Sequence, residues 1–206
     1  MVAFDARDFD KKMSKGVLRN VYPFLARRIL ERTGIKTGRC IDLGGGPGML
    51  GIRMAEISDL DVTVYDPTPE CIEIAEENIA EHGLSQRMRA IEGAAEHIRF
   101  AKDSVDLIVS RGSIYFWDDQ AKGLAEIHRV LKAGGWAFVG GGMGNADLAA
   151  EVDAARARNP EIRESPWRKL SPVDLKALLG QLGIDGMVES DAGGTWIVFQ
   201  KTRGPA

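Results

Sequence analysis

The spacing of hydrophobic and polar residues changes near residue 39. Over the first 38 residues, apolar side chains recur at three- and four-residue spacings, which predicts amphipathic helices. Pro23 interrupts this pattern directly after Tyr22, so we expect two helices or a kink at that point. From residue 39 to residue 142, short apolar runs alternate with helical patterns. Such alternation is typical of a parallel sheet that is covered by helices on both faces.

The alternating region is predicted to contain five strands with helices between them. The strands are expected at 39–43, 61–65, 88–92, 105–110 and 136–140, and the helices at 49–57, 69–82 and 119–131. The segment Ala133-Gly134-Gly135 is expected to end the last of these helices. After residue 142 we expect helices at 146–158 and 172–182, a loop between them at 159–170, and two final strands at 186–190 and 195–201 that form a hairpin.

A glycine cluster lies where the first strand gives way to a helix. Residues 44–48 read Gly-Gly-Gly-Pro-Gly. Glycine allows close approach of backbone N–H groups, and a helix N-terminus carries partial positive charge, so the segment predicts a nucleotide-like ligand. Residues 46–51 fit the dinucleotide pattern G-x-G-x-x-G, whereas residues 42–48 fit D-x-G-x-G-x-G.

Two acidic residues bear on the choice between these patterns. Asp42 precedes the glycines, and residues 42–48 resemble the first motif of class I S-adenosylmethionine-dependent methyltransferases. A carboxylate there can organise the ammonium end of that cofactor. A pyrophosphate site has no use for an acid at that position. Asp66 follows the second strand, where an acid accepts hydrogen bonds from ribose hydroxyls in either kind of site, so it does not discriminate.

Two later stretches complete a resemblance to a known family. Residues 100–109 form an apolar strand segment, and residues 124–135 end in Arg-Val-Leu-Lys-Ala-Gly-Gly. Together with residues 42–48, they resemble the class I S-adenosylmethionine-dependent methyltransferases of the small-molecule type, over residues 39–140. The resemblance implies an α/β fold with a Rossmann-like, mostly parallel sheet of seven strands in the order 3-2-1-4-5-7-6. It also implies helices on both faces, a terminal antiparallel hairpin, and an N-terminal helical lid that includes Tyr22 and Trp117.

The same resemblance implies S-adenosyl-L-methionine as cofactor, S-adenosyl-L-homocysteine as product, and a set of cofactor-binding residues. These are Tyr22, Asp42, Gly44, Gly45, Gly46, Pro47, Gly48, Asp66, Pro67, Ala94, Ala95, Glu96, Ser110, Arg111 and Gly112. Many relatives carry Asp where this chain has Ala94, and that Asp bonds to the adenine amino group. Here the backbone of Ala95 and Glu96, or the Glu96 side chain, would have to take over that contact.

The segment after the fourth strand carries the two catalytic candidates, Tyr115 and Arg111. Tyr115 corresponds to a position where relatives often have His, which implies that it faces the methyl group. Arg111 is unusual for the family. A buried Arg can pair with Asp42 or with the cofactor carboxylate, or can hold an anionic acceptor, and the competing interpretation is a salt bridge to Asp118 or Asp119.

Length, composition and net charge limit the domain organisation and the classes of partner that we expect. With 206 residues, 44% hydrophobic and 28% charged, we expect one domain: a helical extension at 1–38, a cofactor-binding core at 39–142 and an acceptor side at 143–206. The net charge of −3 gives no strong nucleic-acid signal. There is no membrane-length apolar stretch, no signal-peptide layout and no histidine ligand spacing, and cysteines are few. We therefore expect the cytoplasm, no metal, a small-molecule acceptor, and a monomer or homodimer.

Two other function classes stay open at the level of sequence. An NAD(P)-dependent oxidoreductase is consistent with the G-x-G-x-x-G pattern of residues 46–51. A non-catalytic protein that binds or senses S-adenosylmethionine is consistent with the departure at Ala94. Calorimetric titration with S-adenosylmethionine and NAD distinguishes an oxidoreductase from a methyltransferase. Measured turnover distinguishes a methyltransferase from a non-catalytic binding protein.

Overall fold

The computed structural model describes residues 5–158 and 170–202. Its helices are α1 (Ala6–Ser14), α2 (Val21–Thr33), α3 (Met49–Glu56), α4 (Pro69–Glu81), α5 (Gln120–Val130), α6 (Ala146–Arg158) and α7 (Pro172–Gln181). Its strands are β1 (Thr37–Leu43), β2 (Asp59–Asp66), β3 (Met88–Glu92), β4 (Val105–Arg111), β5 (Leu131–Gly142), β6 (Met187–Asp191) and β7 (Gly194–Gln200). A short 3-10 helix spans Ile114–Phe116. The loop expected at 159–170 lies, except for Leu170, outside the described residues.

The strands form a seven-stranded sheet in the order β3-β2-β1-β4-β5-β7-β6. Strands β1 to β5 pair in parallel, whereas β7 runs antiparallel to both β5 and β6. The sequence prediction of this order and of the terminal hairpin is confirmed. The chain leaves β1 toward one edge of the sheet and returns at β4, so the carboxyl ends of β1 and β4 form the switch point where ligands bind in such sheets.

Each strand sends alternate side chains to opposite faces of the sheet, and each face is covered by helices. Cys40 and Leu107 face a core layer that includes residues of α2, α3 and α4. Ile41 and Ile108 face a second layer that includes residues of α5 and α7. Because successive strand residues are buried on both faces, the strands read as continuous apolar runs.

The break between the N-terminal helices differs from the sequence prediction. The break was expected at Pro23, but α1 ends at Ser14 and α2 begins at Val21. Pro23 lies inside the first turn of α2, where a missing N–H costs nothing because that group has no helical partner in any case. Leu25 of α2 is fully buried, so α2 belongs to the core.

The start of β5 also differs from the prediction. Residues 133–135 were expected to end a helix, but α5 ends at Val130 and β5 begins at Leu131. Leu131 is fully buried and pairs with Val105, and the register then shifts before Leu107. Gly134 bonds through its N–H to the carbonyl oxygen of Lys201 at 2.7 Å, so this stretch is an irregular part of the strand.

Candidate cofactor site

The glycine loop occupies the turn from β1 to α3. Gly44 follows the last residue of β1 and has a φ of 63°. A Cβ at this position would lie 2.1 Å from Cβ of Ser113, so no other residue fits. Gly44 therefore satisfies both a left-handed backbone and a close approach to the segment that follows β4.

Asp42 is buried beneath this loop, with 1% of its surface exposed. Its Oδ2 accepts a hydrogen bond from the N–H of Gly51 in α3 at 2.8 Å. Burial raises the pKa of Asp42 to about 7; the nearby charge of Asp66 adds to this rise, and the Gly51 N–H opposes it. The carboxyl is thus held in place and ionises close to neutral pH.

Asp66 ties the end of β2 to the same loop. Its Oδ2 accepts a hydrogen bond from the N–H of Gly46, and its Oδ1 accepts one from the N–H of Thr68, both at 2.9 Å. A carboxylate offers about four lone-pair sites, so Asp66 retains acceptor capacity for the ribose hydroxyls expected there.

Arg111, the last residue of β4, is held by three neighbours. Its Nε donates to the carbonyl oxygen of Gly142 at 2.9 Å, its Nη1 donates to the hydroxyl of Tyr22 at 3.1 Å, and its Nη2 contacts the sulfur of Met143 at 3.4 Å. The guanidinium also lies 5.1 Å from the centre of the Tyr22 ring. Burial raises the pKa of the Tyr22 phenol, which therefore stays protonated.

The ion pairs considered for Arg111 in the sequence do not form. In residues 5–158 and 170–202, Arg111 makes no salt bridge with Asp42, Asp118 or Asp119. Asp119 instead caps α5, accepting a hydrogen bond from the N–H of Lys122 at 2.9 Å. Arg111 is turned toward α2 and the end of β5, away from that cap.

Six of the predicted residues meet around one small cavity. They are Tyr22, Asp42, Gly44, Gly45, Gly46 and Arg111, joined by Phe9 and Leu50, which sequence reasoning missed as site residues. Phe9 belongs to α1 and Leu50 to the first turn of α3, and both were visible only as members of apolar helical patterns.

The groups around the cavity fit S-adenosylmethionine, whereas the present volume does not. A buried acid, a glycine loop and a guanidinium match a nucleoside that carries an amino-acid end. The cavity measures about 50 Å³, whereas ligand pockets typically measure roughly 300–1,000 Å³. The ring of Phe9 lies against Gly46, where a Cβ would come within 3.3 Å of it. Phe9 of α1 thus occupies part of the space over the glycine loop.

Five further cofactor candidates, described here, do not line this cavity. Pro47 accepts a hydrogen bond through its carbonyl oxygen from Asn78 at 3.0 Å. Ser110 is buried with its hydroxyl 2.6 Å from that of Ser113. Gly112 donates its N–H to the carbonyl of β5 residue Gly140 at 2.6 Å, Gly48 lies buried at the start of α3, and Pro67 is exposed.

The segment proposed for adenine lies apart from the cavity. Ala94 is exposed, and Ala95 is buried in the core layer beside α5 and α7. The carboxylate of Glu96 accepts a hydrogen bond from the N–H of Asp119 at 3.1 Å, directly before α5. The adenine contact of these residues stays a prediction.

Tyr115 and Trp117, which both follow β4, pack against different strands and helices. The Tyr115 ring packs over Gly141 of β5, where a Cβ would lie 2.7 Å from Cε2, and burial raises the pKa of its phenol. Trp117 packs against Gly123 of α5 in the opposite core layer from Tyr22. The sequence interpretation that Trp117 joins Tyr22 in a lid is therefore wrong.

The loop after β5 is held from outside the site. The carbonyl oxygen of Gly193, in the turn between β6 and β7, accepts hydrogen bonds from the N–H groups of Met143 at 2.7 Å and Gly144 at 3.0 Å. Arg28 of α2 donates to the carbonyl oxygen of Gly144 at 2.7 Å. The terminal hairpin and α2 together fix the segment that Arg111 contacts.

Comparison with known proteins gives this fold and site a family. A methyltransferase domain model matches residues 40–135. A candidate S-adenosyl-L-methionine-dependent methyltransferase of Methanococcus maripaludis is 34% identical, with a TM-score of 0.90, over 100% of this chain and 99% of that chain. The chain belongs to the S-adenosylmethionine-dependent methyltransferases, as the resemblance implied.

Relatives of named activity match shorter stretches. The chain is 38% identical over 99 residues to a 2-methyl-6-phytyl-1,4-hydroquinone methyltransferase of Oryza sativa, which is 47% of this chain and 28% of that relative. It is 35% identical over 117 residues to a demethylmenaquinone methyltransferase of Chlorobaculum parvum, which is 55% of this chain and 44% of that relative. The matches thus span less than half of either relative.

The described residues carry neither a membrane-spanning helix nor a cluster of metal ligands. Within the described ranges, no helix is both long and apolar enough to cross a bilayer. Across the same residues, no group of three or more His, Cys, Asp or Glu side chains is arranged to hold a metal ion.

Proposed function

We propose that this chain transfers a methyl group from S-adenosylmethionine to a small aromatic acceptor of the hydroquinone class. The observation that carries the methyl-transfer part is the meeting of Asp42, the glycine loop and Arg111 at the carboxyl ends of β1 and β4. The acceptor class rests on the activities for which the rice and Chlorobaculum relatives are named. Family membership removes the nicotinamide-dependent alternative.

The chemistry asks little of the protein beyond alignment. Bound S-adenosylmethionine supplies a methyl group that its sulfonium has already activated. The chain contributes by orienting the reacting groups and excluding water. In an enclosed site, this orientation lowers the activation barrier by up to about 7–11 kcal/mol. Tyr22 and Leu50 are both buried at the cavity and support water exclusion.

Tyr115 is the residue that we assign to the acceptor. Its ring lies over Gly141 at the end of β5, next to the strand end that carries Arg111. Because burial raises the pKa of its phenol, Tyr115 acts as a hydrogen-bond donor to an acceptor hydroxyl and not as a general base. This role orients a hydroquinone ring without removing its proton.

The three parts of the chain then have different main tasks. Residues 1–38 cover the cofactor, residues 39–142 bind it and supply Tyr115 to the acceptor, and residues 143–206 shape the rest of the acceptor side. Two buried free thiols, Cys40 and Cys71, are consistent with the reducing cytoplasm that we propose as the compartment. A monomer or a homodimer suffices for this arrangement.

The proposal is tested in two stages. Calorimetric titration with S-adenosylmethionine, S-adenosylhomocysteine and NAD is expected to show binding of the first two only. Turnover is then measured with a deuterated methyl donor on substituted hydroquinones, with ring-saturated diols of the same size as matched controls. Label on the aromatic acceptors alone supports the proposal. Binding without turnover on any acceptor would instead favour a non-catalytic, cofactor-sensing protein.

A further inference from the structure

Arg111 has hydrogen-bonding capacity that the protein does not use. A guanidinium carries five N–H groups. In the described structure three of them point to partners: the Gly142 carbonyl, the Tyr22 hydroxyl and the Met143 sulfur. None of these partners is an anion, although a half-buried guanidinium is most strongly stabilised by a carboxylate or phosphate. The residue is therefore held in a fixed place with donors available for an anionic ligand.

The position of Arg111 separates two possible ligands. An anionic acceptor would lie toward Tyr115 and Gly141, and neither of these residues lines the cavity that contains Arg111. That cavity instead contains the glycine loop and Asp42. Arg111 thus faces the part of the site that would hold the amino-acid end of the cofactor.

Asp42 and Arg111 carry opposite charges in the same cavity without pairing with each other. Two such unpaired groups suit a ligand that brings both charges itself. The amino-acid end of S-adenosylmethionine is a zwitterion with an ammonium and a carboxylate on one carbon. Asp42 matches the ammonium, and Arg111 matches the carboxylate.

We infer that Arg111 binds the α-carboxylate of S-adenosylmethionine and that Tyr22 positions its guanidinium for this contact. The inference rests on the proposed function and specifies how its cofactor is recognised. Contacts from α2, from the end of β5 and from Met143 fix the guanidinium before the ligand arrives, so little side-chain entropy is lost on binding. Because Tyr22 belongs to α2, cofactor binding and the N-terminal region are joined through this pair.

The decisive comparison is between S-adenosylmethionine and its decarboxylated form, which differ in the carboxylate alone. Arg111→Gln is titrated with S-adenosylhomocysteine, S-adenosylmethionine and decarboxylated S-adenosylmethionine, which keeps the ammonium and the sulfonium. Loss of a charge-assisted hydrogen bond should weaken binding of the first two by about 10- to 100-fold. Binding of the decarboxylated ligand should stay within about twofold of wild type, because it lacks the group that Arg111 contacts.

Three further variants keep the test decisive. Arg32→Gln removes a guanidinium of α2 that pairs with Glu189 and lies outside the cavity, so it should weaken none of the ligands. Tyr22→Phe removes the hydroxyl that holds Arg111, and should weaken S-adenosylhomocysteine less than Arg111→Gln does. If Arg111→Gln does not fold, Arg111→Lys keeps the charge and should show a smaller loss with the same dependence on the carboxylate.

Three results would overturn the inference. An equal loss on all three ligands would make Arg111 a structural residue. Unchanged S-adenosylhomocysteine affinity with a raised KM for the acceptor would assign Arg111 to an anionic acceptor. Wild-type protein that binds none of the ligands would contradict the proposed function itself, and that result differs visibly from a loss confined to the variant.

Discussion

Ser113 donates a hydrogen bond from its hydroxyl to the carbonyl oxygen of Leu43 at 3.1 Å, and so joins the segment after β4 to the last residue of β1. The same hydroxyl accepts a hydrogen bond from Nε1 of Trp117 at 3.1 Å. Leu43 directly precedes the glycine loop, so one small side chain sets the distance between the loop and the end of β4.

Ser113→Ala should loosen this connection. The change leaves the Trp117 Nε1 and the Leu43 carbonyl without their partner, which should cost about 1–3 kcal/mol of stability. Affinity for S-adenosylhomocysteine should fall several-fold because the glycine loop is less fixed. Urea unfolding and calorimetry measure the two effects. Ser104→Ala, which removes an exposed loop hydroxyl bonded to Ala101, serves as the control and should change neither quantity appreciably.

Gly44→Ala should be far more harmful than a matched glycine substitution. Both Gly44 and Gly34 have positive φ, at 63° and 69°. A Cβ at Gly34 meets nothing within 4 Å, whereas one at Gly44 lies 2.1 Å from Cβ of Ser113. Gly34→Ala should therefore cost only the left-handed strain of about 1–2 kcal/mol. Gly44→Ala should cost more and abolish cofactor binding; equal thermal midpoints for the two variants would contradict the clash.

Asp42 should make stability depend on pH. Folding raises the pKa of this carboxyl from 3.8 to about 7, so the folded chain holds the proton more tightly than the unfolded chain. Its contribution to the free energy of unfolding is therefore complete below pH of about 4 and is lost as the pH rises toward 7. The titratable and charged groups around it include Asp66, Tyr22, Cys40 and Arg111. Asp42→Asn should flatten the stability profile between pH of about 4 and 7, as measured by urea midpoints.

Cofactor binding should depend on pH in the opposite sense. An ammonium beside Asp42 favours the ionised carboxylate. Below pH of about 7, which is the pKa of Asp42 in the ligand-free protein, binding therefore releases a proton. Affinity for S-adenosylhomocysteine should fall by up to tenfold for each pH unit below about 7. Calorimetry in buffers of different ionisation enthalpy counts the released protons. No proton release at pH 6 would argue against contact between Asp42 and the ammonium.

Tyr115→Phe should affect the acceptor and leave the cofactor alone. The variant keeps the ring that packs over Gly141 and removes only the hydroxyl. We expect kcat/KM for a hydroquinone acceptor to fall by about 10-fold, as for one lost hydrogen bond, with S-adenosylhomocysteine affinity unchanged. A parallel loss in S-adenosylhomocysteine affinity would place Tyr115 at the cofactor.

Local patterns predicted the alternation of strands and helices, whereas the sheet order came from the family resemblance. The glycines follow the end of β1, Asp42 is its second-last residue and Asp66 is the last residue of β2, so the strand pattern places them at one edge of a parallel sheet. The helix break near Pro23 was misplaced because proline in a first turn is harmless, and only packing reveals that α2 begins before it.

Long-range contacts between ordinary residues were beyond sequence reasoning. Tyr22 and Arg111 meet across 89 positions, and Ser113 and Leu43 across 70. Nothing in the spacing of these residues signals a partner, since each pair is created by the fold. Trp117 was misassigned for the same reason: its aromatic character suggests a binding surface, whereas its position against Gly123 is set by the start of α5.

The turn between β6 and β7 lies at the far edge of the sheet, yet its Gly193 carbonyl holds both Met143 and Gly144. Through Met143, whose sulfur contacts Arg111, this turn also bears on the residue proposed to bind the cofactor carboxylate. A change in the length of this surface turn can therefore alter the acceptor side and the cofactor contact together. In directed evolution, variants of this turn need to be screened for cofactor affinity as well as for new acceptors.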